Sequence, residues 1–222
     1  MINSAPQRMA KGESDRLLLA TQTIGLSVSS DQIEQLVAYV DLLEKWNRAY
    51  NLTAIRDRRV MVDRHLIECL SIAPFLSGDS RVDVGTGAGL PGIPLAITEP
   101  NVHYVLLDSN GKKTRFLSEV KRALALSNID VKNTRVESWQ PGRHFDAVVT
   151  RAFADLGTTL ERVDHLMGSE GMLFAMKTEN AAKEVAEMPP NTEHVASWDV
   201  SVPGRDRPFQ LLAIRRLRGE DL

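Results

Sequence analysis

Cysteine is almost absent from this sequence, since Cys69 is the only one in 222 residues. A single cysteine cannot form a disulfide within the chain, which is typical of proteins from reducing compartments. Long apolar runs are also lacking: residues 89–97 are interrupted by glycine and proline, whereas a transmembrane helix needs about 20 apolar residues. Residues 1–16 carry charges and no apolar run, so we expect no secretory signal and a cytoplasmic location without membrane contact.

Neither sign of charge dominates the chain, because 27 Lys and Arg face 29 Asp and Glu, for a net charge of −2. This balance excludes a uniformly basic protein that coats nucleic acid and a polyacidic disordered chain. Three segments are nevertheless locally basic. Residues 45–65 hold six basic and two acidic side chains, and residues 111–122 and 205–218 each hold five and one. If the first two segments flank one site, they form a basic rim for RNA phosphates.

The hydrophobic pattern changes near residue 78. Before that point, Ile33, Leu36, Val40 and Leu43 recur at helical spacing, and residues 60–76 form a second amphipathic run. After it, short apolar runs alternate with helical patterns, which favours a parallel sheet covered on both faces. We therefore expect an N-terminal helical extension (residues 1–78) and a Rossmann-like α/β core (residues 79–222).

The core is predicted to be a doubly wound, mostly parallel, seven-stranded sheet. Its last two strands have no helix between them and should form an antiparallel pair at the sheet edge. The predicted strands are residues 81–84, 103–107, 129–133, 147–150, 172–176, 194–201 and 209–216. The predicted helices of the core are residues 90–98, 112–125, 156–167 and 180–187.

The most informative stretch is residues 82–92, where a strand leads through a glycine-rich turn into a helix. Glycine is needed where the backbone takes a positive φ or where a ligand approaches the main chain closely. The helix behind such a turn offers unpaired N–H groups and the positive end of its dipole. A loop of this kind at the carboxyl edge of a sheet is the usual position for a nucleotide cofactor.

Two cofactors fit the loop. Gly87, Gly89 and Gly92 satisfy the dinucleotide formula, with Asp108 following 21 residues after Gly87, which points to a nicotinamide-dependent oxidoreductase. Read from Asp83, the same letters resemble the first motif of the class I S-adenosylmethionine methyltransferases. A carboxylate there would repel a pyrophosphate but tolerate an ammonium or sulfonium group. Asp108 could bind the ribose hydroxyls in either case. A third possibility is a module that holds nucleotide or RNA without chemistry.

Further motifs carry a family resemblance. They are Trp46-Asn47-x-x-Tyr50-Asn51-Leu52-Thr53, Arg64-His65, Asp83-Val84-Gly85-Thr86-Gly87-x-Gly89-Leu90-Pro91-Gly92-Ile93-Pro94, Leu107-Asp108-Ser109-x-x-Lys112 and Thr150-Arg151-Ala152-Phe153-Ala154. Over about residues 31–177 the chain resembles the RsmG (formerly GidB) family of bacterial methyltransferases, which act on N7 of one guanine in 16S ribosomal RNA. The resemblance implies S-adenosyl-L-methionine as cofactor, S-adenosyl-L-homocysteine as product, and a monomer acting on 16S rRNA within the 30S subunit or an assembly intermediate.

The resemblance also implies site residues. Gly85 and Leu90 would contact the cofactor, Asp108 and Ser109 its ribose, and Val136 and Glu137 its adenine. Arg151 would reach toward the methyl-transfer centre, and Arg135 and Lys177 would face the target nucleotide. The complete set expected at the cofactor is Asp83, Gly85, Gly87, Gly89, Leu90, Asp108, Ser109, Val136, Glu137 and Arg151. Thr178 departs from the glycine expected after Lys177, which puts the backbone of that turn in question.

The expected chemistry agrees with what the sequence lacks. N7 of guanine has a free lone pair and no proton to lose, so no general base is required and catalysis reduces to alignment. The sequence has no Ser/His/Asp set with a nucleophile elbow and no Cys-x-x-Cys pair, and its five histidines are scattered. His65 and Glu68 could share a helical face, but two ligands do not make a metal site. We therefore expect no metal.

Overall fold

The seven strands of the sheet lie in the order β3-β2-β1-β4-β5-β7-β6. The computed structural model describes residues 5–178, 180–203, 205 and 207–217, with side chains from residue 12 onward. Strands β1 to β5 are parallel, whereas β7 pairs antiparallel with β5 and β6. The doubly wound, mostly parallel sheet with an antiparallel edge is thus confirmed. The strands are β1 (Ser80–Val84), β2 (His103–Asp108), β3 (Ile129–Asn133), β4 (Phe145–Arg151), β5 (Met167–Lys177), β6 (Thr192–Val200) and β7 (Phe209–Arg216).

Helices cover both faces of the sheet. They are α1 (Ala5–Thr23), α2 (Ser30–Tyr50), α3 (Arg58–Met61), α4 (Glu68–Leu70), α5 (Gly92–Thr98), α6 (Gly111–Ala123), α7 (Leu156–Val163) and α8 (Ala181–Ala186). Alternate strand residues enter different cores: Leu106 packs with residues of α2, α5 and α6, whereas Val82 and Val84 pack with residues of α7. Among the helices described, none is long and apolar enough to cross a membrane.

The N-terminal helices begin where the sequence sets caps. Ser29 and Gln32 form the reciprocal capping box expected at the start of α2. Asp57 caps α3, whose last turn widens into a π-helical segment, Val62–Ile67, before α4. The apolar side chains of α1 and α2 share one continuous core with the sheet. The division into domains at residue 78 stays a prediction.

Among the boundaries that differ from the sequence prediction, two have a clear structural cause. The helix expected at residues 156–167 ends at Val163, and Met167 already belongs to β5, where it pairs with Phe145 across a bulge. The helix expected from residue 90 begins at Gly92, whose N–H is bound by the Asp83 carboxylate. Both differences arise from long-range contacts that override the local pattern.

Candidate active site

Asp83 braces the glycine loop from behind. Its Oδ2 accepts hydrogen bonds from the Thr86 hydroxyl at 2.6 Å and from the Gly92 N–H at 2.8 Å. The side chain is buried at the end of β1, and its Oδ1 accepts no hydrogen bond from the described residues. One carboxylate therefore connects Thr86, near the start of the loop, to Gly92, the first residue of α5.

Two glycines of the loop have conformations and surroundings that exclude a side chain. Gly85 has a φ of +70°, and a Cβ built there would lie 2.6 Å from the Phe153 ring. Gly89 has a φ of +95°, and its Cβ would lie 2.4 Å from Ile93 and 2.8 Å from Leu117. Gly85 keeps the loop open toward Phe153, whereas Gly89 lets the loop pack closely on α5 and α6.

Asp108, at the end of β2, connects the glycine loop to the loop before α6. Its Oδ2 accepts the Gly87 N–H at 3.0 Å and its Oδ1 accepts the Asn110 N–H at 2.8 Å. Lys113 Nζ lies 3.5 Å from Oδ2. The helix cap of α6 is Asn110. Asp108 is therefore held at the carboxyl edge of the sheet by one backbone donor from each loop, Gly87 and Asn110.

A cavity of about 270 Å³ opens beside these two loops. Of the predicted cofactor residues, Gly85, Asp108, Ser109, Val136 and Glu137 line it. The other five do not: Asp83 lies behind the loop, Gly87, Gly89 and Leu90 belong to the loop, and Arg151 lines a different cavity. The remaining wall comes from Leu107, Lys113, Thr134, Arg135, Ala152, Phe153 and Arg162.

Two wall residues were missed by the sequence reasoning or left undecided there. Arg162 of α7 pairs with Glu137 at 3.2 Å and lies over the Phe153 ring at 5.9 Å, so it connects α7 to the turn after β3. Phe153, which belongs to the Thr150–Ala154 motif but has no role assigned from the sequence, lies against Gly85 in the cavity wall. Neither position has a local sequence signal, because both contacts join separate segments.

Arg151 ends β4 and faces a second cavity of about 380 Å³. Its Nη2 donates to the Arg64 carbonyl and to Glu68 Oε1, both at 2.8 Å, and its Nη1 lies 3.5 Å from the Cys69 sulfur. Ala152 follows with a φ of +52° and lines both cavities. The two cavities therefore adjoin at the carboxyl end of β4.

Lys177 and Arg135 lie at different cavities. Lys177 lines the second, where its Nζ donates to the Ala154 carbonyl and pairs with Glu184, both at 2.7 Å. Arg135 is exposed and lines the first cavity beside Val136. Lys177 thus fixes the turn after β4 to α8, and Arg135 lies at the rim of the first cavity.

The early motif residues organise the turn between α2 and α3. Asn47 Oδ1 accepts the Thr53 N–H at 2.9 Å, and the Thr53 hydroxyl lies 2.8 Å from His65 Nε2. Burial lowers the pKa of His65 to about 4, and the nearby Arg151 charge adds to this effect, so the ring is neutral at pH 7. These residues hold the π-helical segment that carries Arg64, and they take no part in lining the two cavities.

The basic segments converge only in part. Arg64 lines the second cavity and Lys113 lines the first, whereas Arg205 lines neither and lies 2.8 Å from Glu68, which lines the second. Other members are paired elsewhere: Arg58 with Glu13 and Arg122 with Glu119. Asp206 and Arg218 lie outside the described residues. One basic side chain from each segment therefore reaches the two-cavity site.

Metal ligands are not grouped in the part of the chain described: no cluster of three or more His, Cys, Asp or Glu side chains there could hold an ion. His65 and Glu68 do not form a pair, because His65 contacts Thr53 and Glu68 contacts three arginines.

Asp83 should give folding a recognisable pH dependence. Burial raises its pKa to about 7, Asp108 adds to this rise, and hydrogen bonds from Thr86 and Gly92 oppose it. An unfolded aspartate has a pKa of about 3.9. Between these values the folded chain holds a proton that the unfolded chain has lost, so the free energy of unfolding falls as pH rises through this window. Asp83→Asn should remove that fall.

Urea unfolding of wild type and Asp83→Asn at pH 5, 6, 7 and 8 tests this. His65, whose lowered pKa makes stability rise with pH over part of the same range, is present in both proteins and cancels in the difference. Parallel stability curves for the two proteins would contradict the assignment.

Comparison with protein families gives one match over most of the chain. The family described as rRNA small subunit methyltransferase G matches residues 32–210. A "Ribosomal RNA small subunit methyltransferase G" from Saccharophagus degradans is 49% identical over 85% of this chain and 84% of its own length. Proteins of the same name from Pseudomonas aeruginosa and Escherichia coli are 45% and 41% identical, covering 91% and 90% of this chain and 95% and 97% of theirs.

Solved structures with similar backbones are more distant in sequence. A ribosomal protein L11 methylase from Lactobacillus delbrueckii has a TM-score of 0.52 at 16% identity, covering 70% of this chain and 79% of that one. A coclaurine N-methyltransferase bound to N-methylheliamine and SAH has a TM-score of 0.51 at 13% identity, covering 86% and 73%. These likenesses confirm the Rossmann-like methyltransferase fold.

Proposed function

Because the chain belongs to the rRNA small subunit methyltransferase G family, we propose that it transfers a methyl group from S-adenosyl-L-methionine to N7 of a specific guanine in 16S ribosomal RNA. The observation that carries the proposal is the pair of adjoining cavities at the carboxyl end of β4, which share Ala152. One cavity suits a nucleoside cofactor and the other suits the target nucleotide.

The first cavity fits the cofactor. Its floor is the opened glycine loop, where no side chain fits at Gly85. Asp108 offers a buried carboxylate for the ribose hydroxyls, beside Ser109, and Val136 with Glu137 forms the wall for the adenine. The conformation of the glycine loop is maintained by Asp83, Gly87, Gly89 and Leu90. S-adenosyl-L-methionine, when bound, supplies an electrophilic methyl carbon on a sulfonium, and S-adenosyl-L-homocysteine remains.

The residues of the second cavity align the nucleophile. Guanine N7 attacks through its own lone pair, so no described residue has to remove a proton. Attack leaves positive charge on the purine, and a guanidinium is always protonated at neutral pH. Arg151 therefore acts by holding guanine O6 or a phosphate in place, with Lys177 in the same cavity wall and Arg135 at the rim of the first cavity, and the rate gain comes from orientation. No metal is needed for such a transfer.

We also propose the rRNA in the 30S subunit or in an assembly intermediate as the substrate, with the protein acting as a monomer in the cytoplasm. The convergence of Arg64, Lys113 and Arg205 supports an RNA substrate despite the net charge of −2.

Thermal unfolding with candidate ligands tests the cofactor. A ligand that binds only the folded state stabilises it by about 2.7 kcal/mol at a concentration 100 times its dissociation constant. S-adenosylhomocysteine should therefore raise the unfolding temperature by several degrees, and NAD should leave it unchanged. A shift with NAD alone would favour the oxidoreductase interpretation of the loop.

The activity is tested separately with a labelled cofactor. Wild-type protein is incubated with labelled S-adenosylmethionine and either deproteinised 16S rRNA or 30S subunits that lack the modification. Label recovered as 7-methylguanosine supports the proposed function. Absence of label from both substrates would favour a binding module without chemistry, and comparison of the two rates identifies the better substrate.

A further inference from the structure

Glu68 lies at the centre of a three-arginine cluster in the wall of the second cavity. Its carboxylate is 4% exposed and contacts Arg64, Arg151 and Arg205. Oε1 lies 2.8 Å from Arg151 Nη2, and Oε2 lies 2.8 Å from Arg205 Nη1 and 3.0 Å from Arg64 Nε. A buried carboxylate requires charge pairing, but a single arginine would be enough to provide it.

The arginines come from three separate parts of the fold. Arg64 belongs to the π-helical segment, Arg151 ends β4, and Arg205 lies in the loop between β6 and β7. Glu68 follows the π-helical segment directly, and Arg151 also donates to the Arg64 carbonyl. A π-helical turn changes the register of a helix and is frequent at functional sites. Here the π-helical turn positions the Arg64 carbonyl and the Glu68 carboxylate so that both accept hydrogen bonds from the Arg151 guanidinium.

The cluster keeps a surplus of positive charge. Three guanidiniums surround one carboxylate, and the neighbouring Lys177 is paired with Glu184. The described charges that line this cavity are three positive and two negative, and Arg205, which pairs with Glu68 without lining the cavity, adds a fourth positive charge. Arg205 also lies over the ring of Phe209, at 5.4 Å from its centroid, and Phe209 lines the cavity. Such a group of fixed guanidiniums is suited to an anion with several acceptor oxygens, as a phosphate is.

We propose that Arg64, Arg151 and Arg205 form a receptor for one backbone phosphate of the RNA strand that carries the target guanine, with Glu68 as the positioning residue that holds the three guanidiniums together. This inference rests on the proposed function. It assigns Glu68 and Arg205, which no feature of the proposed mechanism requires, to substrate positioning.

Arg205→Gln tests the receptor. For 30S subunits, KM should rise about 10-fold near 0.1 M salt, and the slope of log KM against log salt concentration should fall by about 0.7 to 1, because one phosphate contact is lost. Arg143→Gln is the matched control. Arg143 precedes β4 and contacts His103, the first residue of β2, so it lies at the amino ends of the strands, opposite the two cavities. Arg143→Gln should keep the wild-type slope. Equal slopes for all three proteins would overturn the receptor.

Glu68→Gln tests the positioning role. At saturating 30S subunits, kcat should fall roughly 10- to 100-fold because the arginines lose their common anchor, and Glu68→Asp should restore part of it. S-adenosylhomocysteine affinity should stay within about 3-fold, since Glu68 does not line the cofactor cavity. Glu99→Gln is the control for stability, because Glu99 pairs with buried Arg81 away from both cavities.

The outcomes separate the two proposals. If Glu68→Gln has wild-type kcat, or loses no more kcat than Glu99→Gln at an equal loss of stability, the positioning role is wrong while the methyltransferase activity stands. If wild-type protein methylates neither RNA nor 30S subunits, the proposed function itself fails.

Discussion

Replacement of Arg151 by alanine should lower kcat for methyl transfer by about 100- to 1,000-fold, the range seen when one preorganised polar group is removed from an active site. Arg151 faces the second cavity, and its guanidinium is fixed by the Arg64 carbonyl and Glu68 at 2.8 Å. Binding of S-adenosylhomocysteine should weaken by less than about 10-fold, because Arg151 does not line the first cavity. Single-turnover methylation of 30S subunits and calorimetric titration with S-adenosylhomocysteine measure the two effects.

The variant should stay folded, because Glu68 keeps Arg64 and Arg205 as partners. Arg151→Lys is an informative companion: lysine keeps the charge but not the planar fork that contacts a carbonyl, a carboxylate and Cys69 together, so it should restore little activity. Undiminished turnover in Arg151→Ala would refute the role. A parallel loss of cofactor affinity would place Arg151 at the cofactor instead.

The strands were predictable from sequence because short apolar runs alternate with helical patterns along this part of the chain. All seven strands overlap the predicted ranges, although β5 begins at Met167 and not at residue 172, and β7 lies between β5 and β6, antiparallel to both. The limits of α7 were not predictable, since Met167 follows a helical pattern but pairs with Phe145 in the sheet. The π-helical segment Val62–Ile67 has no hydrophobic period of its own and was expected as an ordinary amphipathic helix.

The candidate site likewise contains residues that the sequence predicts and residues that it does not. Residues of the glycine loop and Asp108 follow directly on strand ends, so the local pattern identifies them. Glu68 does not have such a signal, because a glutamate in an amphipathic helix is normally solvated. Its partners Arg151 and Arg205 are 83 and 137 residues away in sequence. Only the packing of the N-terminal helices against the sheet edge brings these charges together.

Asp108→Ala should weaken S-adenosylhomocysteine binding by about 100-fold. Removal of the carboxylate deletes the acceptor proposed for the ribose hydroxyls, and a hydrogen bond to a charged group contributes about 1.5–3 kcal/mol. It also leaves the Gly87 and Asn110 N–H groups without their acceptor, which loosens both loops of the cavity. Asp108→Asn keeps one acceptor oxygen and should lose about 10-fold. Calorimetric titration measures the affinities.

Asp130→Ala is the matched control for this prediction. Asp130 lies on the adjacent strand β3 and pairs with His103 and Lys121, but it is half exposed and lines neither cavity. Asp130→Ala removes the same charge from the same part of the sheet. Because Asp130 lies outside both cavities, this variant should bind S-adenosylhomocysteine within about 2-fold of wild type. If Asp108→Ala and Asp130→Ala bind S-adenosylhomocysteine equally well, the cofactor does not contact Asp108. The first cavity would then have to be reassigned, because Asp108 is the only described carboxylate in its wall that accepts a backbone N–H of the glycine loop.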